Sequence, residues 1–188
     1  MKKVEKISVK SENKPTEPKL LMIANNGLGG NQAFDRKGFT FGLGLAALNN
    51  LPITIAGPSS NKYFFNEHLW MLTYPKLNLV FDLPNDKLLE LYHEHDVFVH
   101  PTILEAGHPN LTMIEAAAAG LPLIAYWEHE TDFHGAWRAP RNVFDMDKGL
   151  KDILNNWSTY RTNVINTGKQ LSWENRTKDL LEIYKQFI

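Results

Sequence analysis

The residue types best suited to chemistry cluster in one short stretch. Glu105, His108, Asn110 and Glu115 lie within residues 103–126, in an acidic loop holding Gly107 and Pro109 that runs into an Ala-rich segment closed by Gly120. A loop feeding a helix start presents backbone N–H groups that have no intrahelical partner. Such an end attracts phosphate and other anions. Upstream, Arg36 and Lys37 stand directly before Gly38 and a second apolar periodic segment. A Lys-Gly pair at a helix start can set one ammonium against a phosphate as a point charge. The plainer reading makes both cations solvated charges at a loop end.

Glu115 admits two readings. Thr112-Met-Ile-Glu115 fits a capping box, with the carboxylate reaching back to the Thr112 backbone N–H. With Asn110 as the cap instead, Glu115 lies one turn into the helix and can accept hydrogen bonds from the vicinal hydroxyls of a ribose. Among the histidines, only His108 lies inside the key loop. His100 closes an apolar run and reads as hydrogen-bonded structure. His93 and His95 sit at a helix end, where a cation suits the dipole. His129 and His134 are five apart, so they do not form His-Glu-x-x-His. The loop from Asn25 to Gln32 is glycine-rich, but a dinucleotide fingerprint starting at Gly27 and Gly29 needs a third glycine where Gln32 stands. The second strand ends without an acidic residue for a ribose. No Gly-Lys-Ser/Thr is present, which excludes a P-loop.

The elements that must position these residues follow from periodicity. Short apolar runs at 20–24, 52–56, 77–81, 96–100 and 121–126 read as strands buried on both faces. Between them, residues 39–48 show helical spacing through Phe39, Leu43, Ala46 and Ala47. Gly42 and Gly44 cost that helix roughly 1 kcal/mol each relative to Ala, and their missing side chains let it pack close to the sheet. Residues 66–73 read as a short helix with Leu69 and Leu72 inward. Asn85 is placed to cap a helix carrying Leu88, Leu89 and Tyr92 on one face. Residues 127–141 read as irregular, with a short strand near 142–144. Helices are expected at 148–156 and 159–170. Ser172 caps a last one that aligns Leu180, Leu181, Tyr184 and Ile188. Strands alternating with helices imply an α/β domain: a doubly wound, Rossmann-like parallel sheet with helices on both faces. Ligands bind there outside the carboxyl ends of the strands, where the loops holding Lys37 and Glu105 fall.

Composition narrows the classes. At 188 residues the chain is long enough for one domain with a sizeable core. Polar residues 1–19 read as a linker or tail, and residues 20–188 as the domain. A net charge of −1 gives no sign of a nucleic-acid or anionic-membrane surface. The absence of cysteine excludes disulfides, thiolate zinc sites and Cys nucleophiles, and fits a cytoplasmic protein. No apolar run approaches a membrane span.

Several words occur in order along the chain. Lys37-Gly38 follows the first loop. Leu88-Leu-Glu-Leu-Tyr92 leads into Asp96-Val-Phe-Val-His-Pro-Thr102. The longest runs from Glu105 through Asn110-Leu-Thr-Met-Ile-Glu-Ala-Ala-Ala-Ala-Gly-Leu-Pro-Leu-Ile-Ala125, and Ser172-Trp173-Glu174 opens the final helix. From residue 20 onward the chain thereby resembles the C-terminal domain of retaining glycosyltransferases of the GT-B fold, glycosyltransferase family 4 (group 1). The resemblance implies one half of a GT-B fold that binds a nucleoside-diphosphate sugar as substrate, with no cofactor and no metal. Lys37 would hold the diphosphate, with Arg36 substituting for the family's arginine at the position of Gln32. Glu115 would bind the ribose hydroxyls. Gly107, His108, Pro109, Asn110, Leu111 and Thr112 would form the donor loop, and residues 81–83 would lie beside the base.

The family usually spaces its glutamates with seven residues between them. Counting back from Glu115 reaches Gly107, so either the loop carries a two-residue insertion that keeps Glu105 as the catalytic carboxylate, or that carboxylate is missing. The implied partner is an N-terminal acceptor-binding domain, through which any membrane contact would run; no nucleic acid is implied. The implied reaction moves a sugar with retention to a carbohydrate or lipid-linked acceptor, as in polysaccharide biosynthesis. Alone, this chain would bind donor and transfer poorly or not at all. The final helix would cross toward the missing domain, leaving apolar surface exposed. The alternatives are a freestanding nucleotide-sugar-binding module without transfer activity, and another enzyme of this architecture such as a sugar-nucleotide epimerase.

Overall fold

The computed structural model describes residues 13–26, 34–103, 109–127 and 133–187. Its strands are β1 (Leu20–Ile23), β2 (Ile53–Gly57), β3 (Leu77–Phe81), β4 (Val97–His100), β5 (Leu123–Ala125) and β6 (Ala136–Arg138). They form a six-stranded sheet in the order β3-β2-β1-β4-β5-β6, and every pairing is parallel. The helices are α1 (Phe39–Leu48), α2 (Asn61–Glu67), α3 (Asn85–Glu94), α4 (Leu111–Ala118), α5 (Val143–Asn155), α6 (Trp157–Gln170) and α7 (Trp173–Lys185). A 3-10 helix (Leu69–Thr73) follows α2. This is the doubly wound α/β architecture expected from the sequence.

Strand alternation builds two cores. Leu20 and Met22 of β1 face a core shared with Phe39, Leu43, Phe64, Met146 and Ile153 of α1, α2 and α5. Leu21 and Ile23 face the opposite core, with Tyr92, Met113, Ala116 and Val164 of α3, α4 and α6. Both faces are thus covered, which is why the strands read as continuous apolar runs rather than alternating ones.

Several local expectations are corrected. Residues 66–73 are not one helix: α2 starts earlier, where Phe65 stacks on Phe39 and Phe64 meets it edge-on. Leu69 and Leu72, expected inward, are 62% and 47% exposed, and Met71 is the buried residue there. Asn85 does not cap α3. Pro84, in extended conformation, is the capping residue, and its carbonyl accepts from the Leu88 N–H. Leu89 is exposed and Tyr92 carries the buried contact. In α1, Ala47 is exposed and Leu45 is buried. Gly42 does approach the sheet, at Met22, whereas Gly44 faces Val143 of α5.

No strand forms at 142–144. The Asn142 side chain accepts from the Phe144 and Asp145 N–H groups and starts α5 there. The sixth strand lies instead in the segment read as irregular, where Ala136, Trp137 and Arg138 pair with Leu123, Ile124 and Ala125. Three residues of edge strand carry little periodic signal. Near the start of the domain, the Lys19 N–H donates to Asp96, and Lys76 bridges Glu17 at 2.8 Å.

Ser172 caps α7 as expected, accepting from the Asn175 N–H. No residue of α7 is buried. Trp173 is 83% exposed, and Leu180, Leu181 and Tyr184 are each about half exposed. No helix among the described residues is long and apolar enough to cross a membrane.

Candidate functional site

The chain winds from β1 to β3 in one direction and from β4 to β6 in the other, so the crossover falls between β1 and β4. A crevice forms at such a switch point, beyond the strand ends. Two loops meet there, one leaving β1 and one leaving β4. Gly38 makes the meeting possible. Its φ is +75°, and a Cβ would lie 2.5 Å from Pro101 Cγ and 2.7 Å from the Pro101 carbonyl oxygen. Only glycine fits both the left-handed backbone and that approach. The Ile103 N–H donates to the Arg36 carbonyl at 3.1 Å, joining the two loops directly.

The loop after β1 is held by two asparagines that the sequence reading passed over. Asn61 of α2 donates to the Ala24 carbonyl and accepts from the Asn26 N–H, both at 2.8 Å. Asn26 is 4% exposed; its Oδ1 accepts from the Lys37 N–H and its amide donates to the Phe34 carbonyl. The backbone of Lys37 is therefore fixed by a buried side chain. Lys37 itself is 8% exposed. Arg36 turns back, its Nη2 donating to the Asn25 carbonyl at 3.0 Å. Asparagine in a Gly-rich segment signals turn formation, and that generic signal hid these specific roles.

The start of α1 is not an open anion site. The Asp35 carboxylate accepts from the Phe39 and Thr40 N–H groups at 2.8 and 2.9 Å. Its own negative charge already occupies the positive end of that helix dipole.

The start of α4 is arranged differently. Asn110 is extended, and its Oδ1 accepts from the Met113 N–H and the Thr112 hydroxyl at 3.1 and 3.0 Å. This removes the capping-box reading of Glu115, because Thr112 lies inside the helix. With its oxygen engaged, the Asn110 amide points its NH2 at His100 Nε2, 2.8 Å away. His100 Nε2 must then be the acceptor, which puts the ring proton on Nδ1, facing Thr102 Oγ1 at 3.4 Å. His100 is 2% exposed. It is structural, as read from the sequence, and its structural task is to orient the α4 cap. Leu111 and Thr112 open the helix at positions whose N–H groups no earlier helical carbonyl can reach.

Glu115 lies one turn into α4. Its Oε2 accepts from the Tyr92 hydroxyl at 2.8 Å, across from α3. Burial pushes the Tyr92 phenol far above the usual tyrosine range, and the adjacent Glu115 carboxylate adds to the effect. Tyr92 therefore stays a protonated donor.

Among the described residues, cavities border α4, and two of them reach its first turn. One, of about 380 Å³, lies over the ends of β1, β2 and β3 and is bounded by Ala24, Gly57, Asp82, Leu83, Leu88 and Thr112. The second, of about 670 Å³ and more apolar, lies on the side of α7 against Pro109, Leu111, Glu115, Trp173 and Arg176. Both volumes suit a small-molecule ligand. At the first, Asp82 has φ +53° and accepts from the Ser59 N–H at 2.8 Å. That bond, followed by Lys62, holds its carboxyl below the ordinary value.

A depressed folded-state pKa means the Ser59–Asp82 bond contributes stability above the unfolded-state value of about 3.9 and loses it as pH falls through the folded value. We expect the Asp82 carboxyl to titrate below about 3.9 by carbon-13 NMR, with the Ser59 amide shifting in step. A midpoint at or above the ordinary value would sink this assignment.

Of the residues singled out from sequence, Arg36, Lys37, Pro109, Asn110, Leu111, Thr112 and Glu115 fall on the two loops and the helix start at this end of the sheet. Glu105, Gly107 and His108 lie outside the described residues. Among the described residues no group of three His, Asp or Glu side chains could hold a metal ion.

Comparison with known proteins adds an independent line. The family model described as glycosyl transferases group 1 matches residues 5–171. No curated protein matches the chain in sequence. Among solved structures, the sucrose-phosphate synthase of Thermosynechococcus elongatus aligns with a TM-score of 0.71 at 18% identity, covering 92% of this chain and 46% of that one. A C-terminal domain of a glycosyl transferase group 1 family protein from Francisella tularensis aligns with a TM-score of 0.63 at 12% identity, covering 87% and 94%. The catalytic domain of a cholesterol-alpha-glucosyltransferase from Helicobacter pylori gives 0.62 at 16%, covering 84% and 100%. This chain thus spans less than half of the synthase and nearly all of the isolated C-terminal domain.

Proposed function

The chain belongs to the glycosyl transferases group 1 family, and we propose that it is the donor-binding domain of a two-domain enzyme. It holds a nucleoside-diphosphate sugar while the sugar passes, with retention, to a carbohydrate or lipid-linked acceptor. What supports this reading is that Lys37 lies on the loop after β1, whose Arg36 carbonyl accepts from Ile103 of the loop after β4, and that Glu115 lies one turn into α4, the helix this second loop feeds. As the glycosidic bond breaks, the diphosphate gains negative charge. The Lys37 ammonium and the N–H groups opening α4 stabilise that charge, and a fixed dipole does so without reorganising. Because Asp35 fills the α1 start, the diphosphate lies against α4. Glu115 accepts the ribose hydroxyls, and the base enters the cavity beside Asp82 and Leu83.

Glu105 is the catalytic carboxylate in this reading, placed by the two-residue insertion. No cofactor takes part. The site of action is the cytoplasm, in polysaccharide biosynthesis. The exposed apolar face of α7 packs against the acceptor-binding domain, and the chain alone binds donor without efficient transfer.

Titration calorimetry with UDP, GDP and ADP and their sugar conjugates tests the reading. One of these series should bind the isolated chain; no heat from any of them at millimolar concentration would sink it. In the two-domain enzyme, Glu105→Gln should impair transfer more than nucleotide binding. Wild-type turnover in that variant would remove Glu105 from the reaction.

A further inference from the structure

We infer that Tyr92 is a positioning residue for nucleotide recognition, acting by locking the Glu115 carboxylate. This rests on the proposed role of Glu115 toward a ribose. Tyr92 sits near the far end of α3, yet helical side chains lean toward their own N-terminus, and its ring rises through the core toward the ligand edge. The ring is 1% exposed and packs against Phe98 with centroids 5.8 Å apart. Core packing fixes where the hydroxyl ends. It meets Glu115 Oε2 at 2.8 Å and the Thr112 carbonyl at a weaker 3.4 Å.

Among the described residues Tyr92 is the one hydrogen-bond donor to Glu115. Glu115 is itself half-buried and borders the larger cavity. A glutamate in that position has three free torsions and open space to swing into. Gripping two vicinal hydroxyls requires both carboxylate oxygens in one plane and one direction. A donor on a rigid, buried ring selects that direction before the ligand arrives, which lowers the ordering cost of binding. Burial keeps the phenol protonated, so it remains the donor in this pair.

The test uses the whole chain and two ligands. Calorimetry first selects the nucleoside diphosphate that binds best, and the same diphosphate lacking the 2′- and 3′-hydroxyls serves as its partner. Tyr92→Phe should weaken the ribonucleotide about tenfold, the scale of one lost hydrogen bond to a charged group, and the dideoxy ligand less than about threefold. Tyr92→Met keeps the position apolar without a hydroxyl and should behave alike. A purely structural tyrosine would weaken both ligands equally, and that result overturns the proposal, as would failure of both variants to fold.

The reading of Glu115 fails separately. If Glu115→Ala leaves the ribo-to-dideoxy ratio of the wild type unchanged, Glu115 does not touch the ribose. If Glu115→Ala abolishes the ratio and Tyr92→Phe preserves it, only the lock is wrong.

Discussion

Lys37→Ala should weaken nucleoside-diphosphate binding by about 1–3 kcal/mol, the cost of losing a hydrogen bond to a charged partner, or roughly five- to 150-fold in dissociation constant. The size follows from the surroundings. Lys37 is almost fully buried, so in the proposed site its charge would act on the diphosphate with less solvent screening than a surface lysine. The obvious substitute, the start of α1, is occupied by the Asp35 carboxylate. Arg36, its neighbour in sequence, donates to the Asn25 carbonyl.

A Lys37→Met variant separates charge from packing, because it keeps most of the apolar stem. Calorimetry should find both variants similarly weakened while their melting temperatures stay near that of the wild type. Wild-type affinity in Lys37→Met would return this residue to the status of a buried structural cation.

Gly168→Ala should destabilise the domain by about 1–3 kcal/mol, the usual cost of overpacking a close contact. Two effects oppose each other here. Alanine favours a helix over glycine by about 1 kcal/mol, which by itself would stabilise α6. Yet a Cβ at position 168 would lie 2.7 Å from the Ala117 carbonyl carbon and from the Ala118 nitrogen. These are backbone atoms of α4 and cannot rotate aside.

Gly42 makes a useful contrast. Its Cβ would meet the Met22 thioether, a flexible group that can yield, so Gly42→Ala should cost less. Since α4 carries the proposed phosphate and ribose contacts, Gly168→Ala should also weaken nucleotide binding. Chemical denaturation and calorimetry on both variants check this. A Gly168→Ala protein more stable than wild type would mean that α4 and α6 are not in contact as described.

The sheet, its helices and most of their edges were legible because their signals are local. Buried parallel strands appear as short apolar runs, and α1 and β3 fall where the periodicity placed them. The misreadings share a cause. Leu69 and Leu72 look like an inward face, but Phe64 and Phe65 had already filled the space against Phe39. The edge strand β6 takes its conformation from pairing with β5 rather than from its own residues. Asn142 could not be told from a strand residue until its side chain was seen to cap α5.

The sequence by itself determined the family through the ordered words around Lys37, Asp96 and Glu115, and with it the doubly wound sheet and the loops that form its ligand edge. The tertiary structure decided what holds those residues in place. It removed the capping-box reading by making Asn110 the cap, with His100 behind it. It joined Tyr92 to Glu115 across 23 residues, and Asn61 to Asn26 across 35. It also filled the α1 start with the Asp35 carboxylate. Periodicity, caps and glycines act over a turn or two of chain and can be read along it. Hydrogen bonds between distant residues exist only once packing has set the distance between their elements, so no spacing in the sequence announces them.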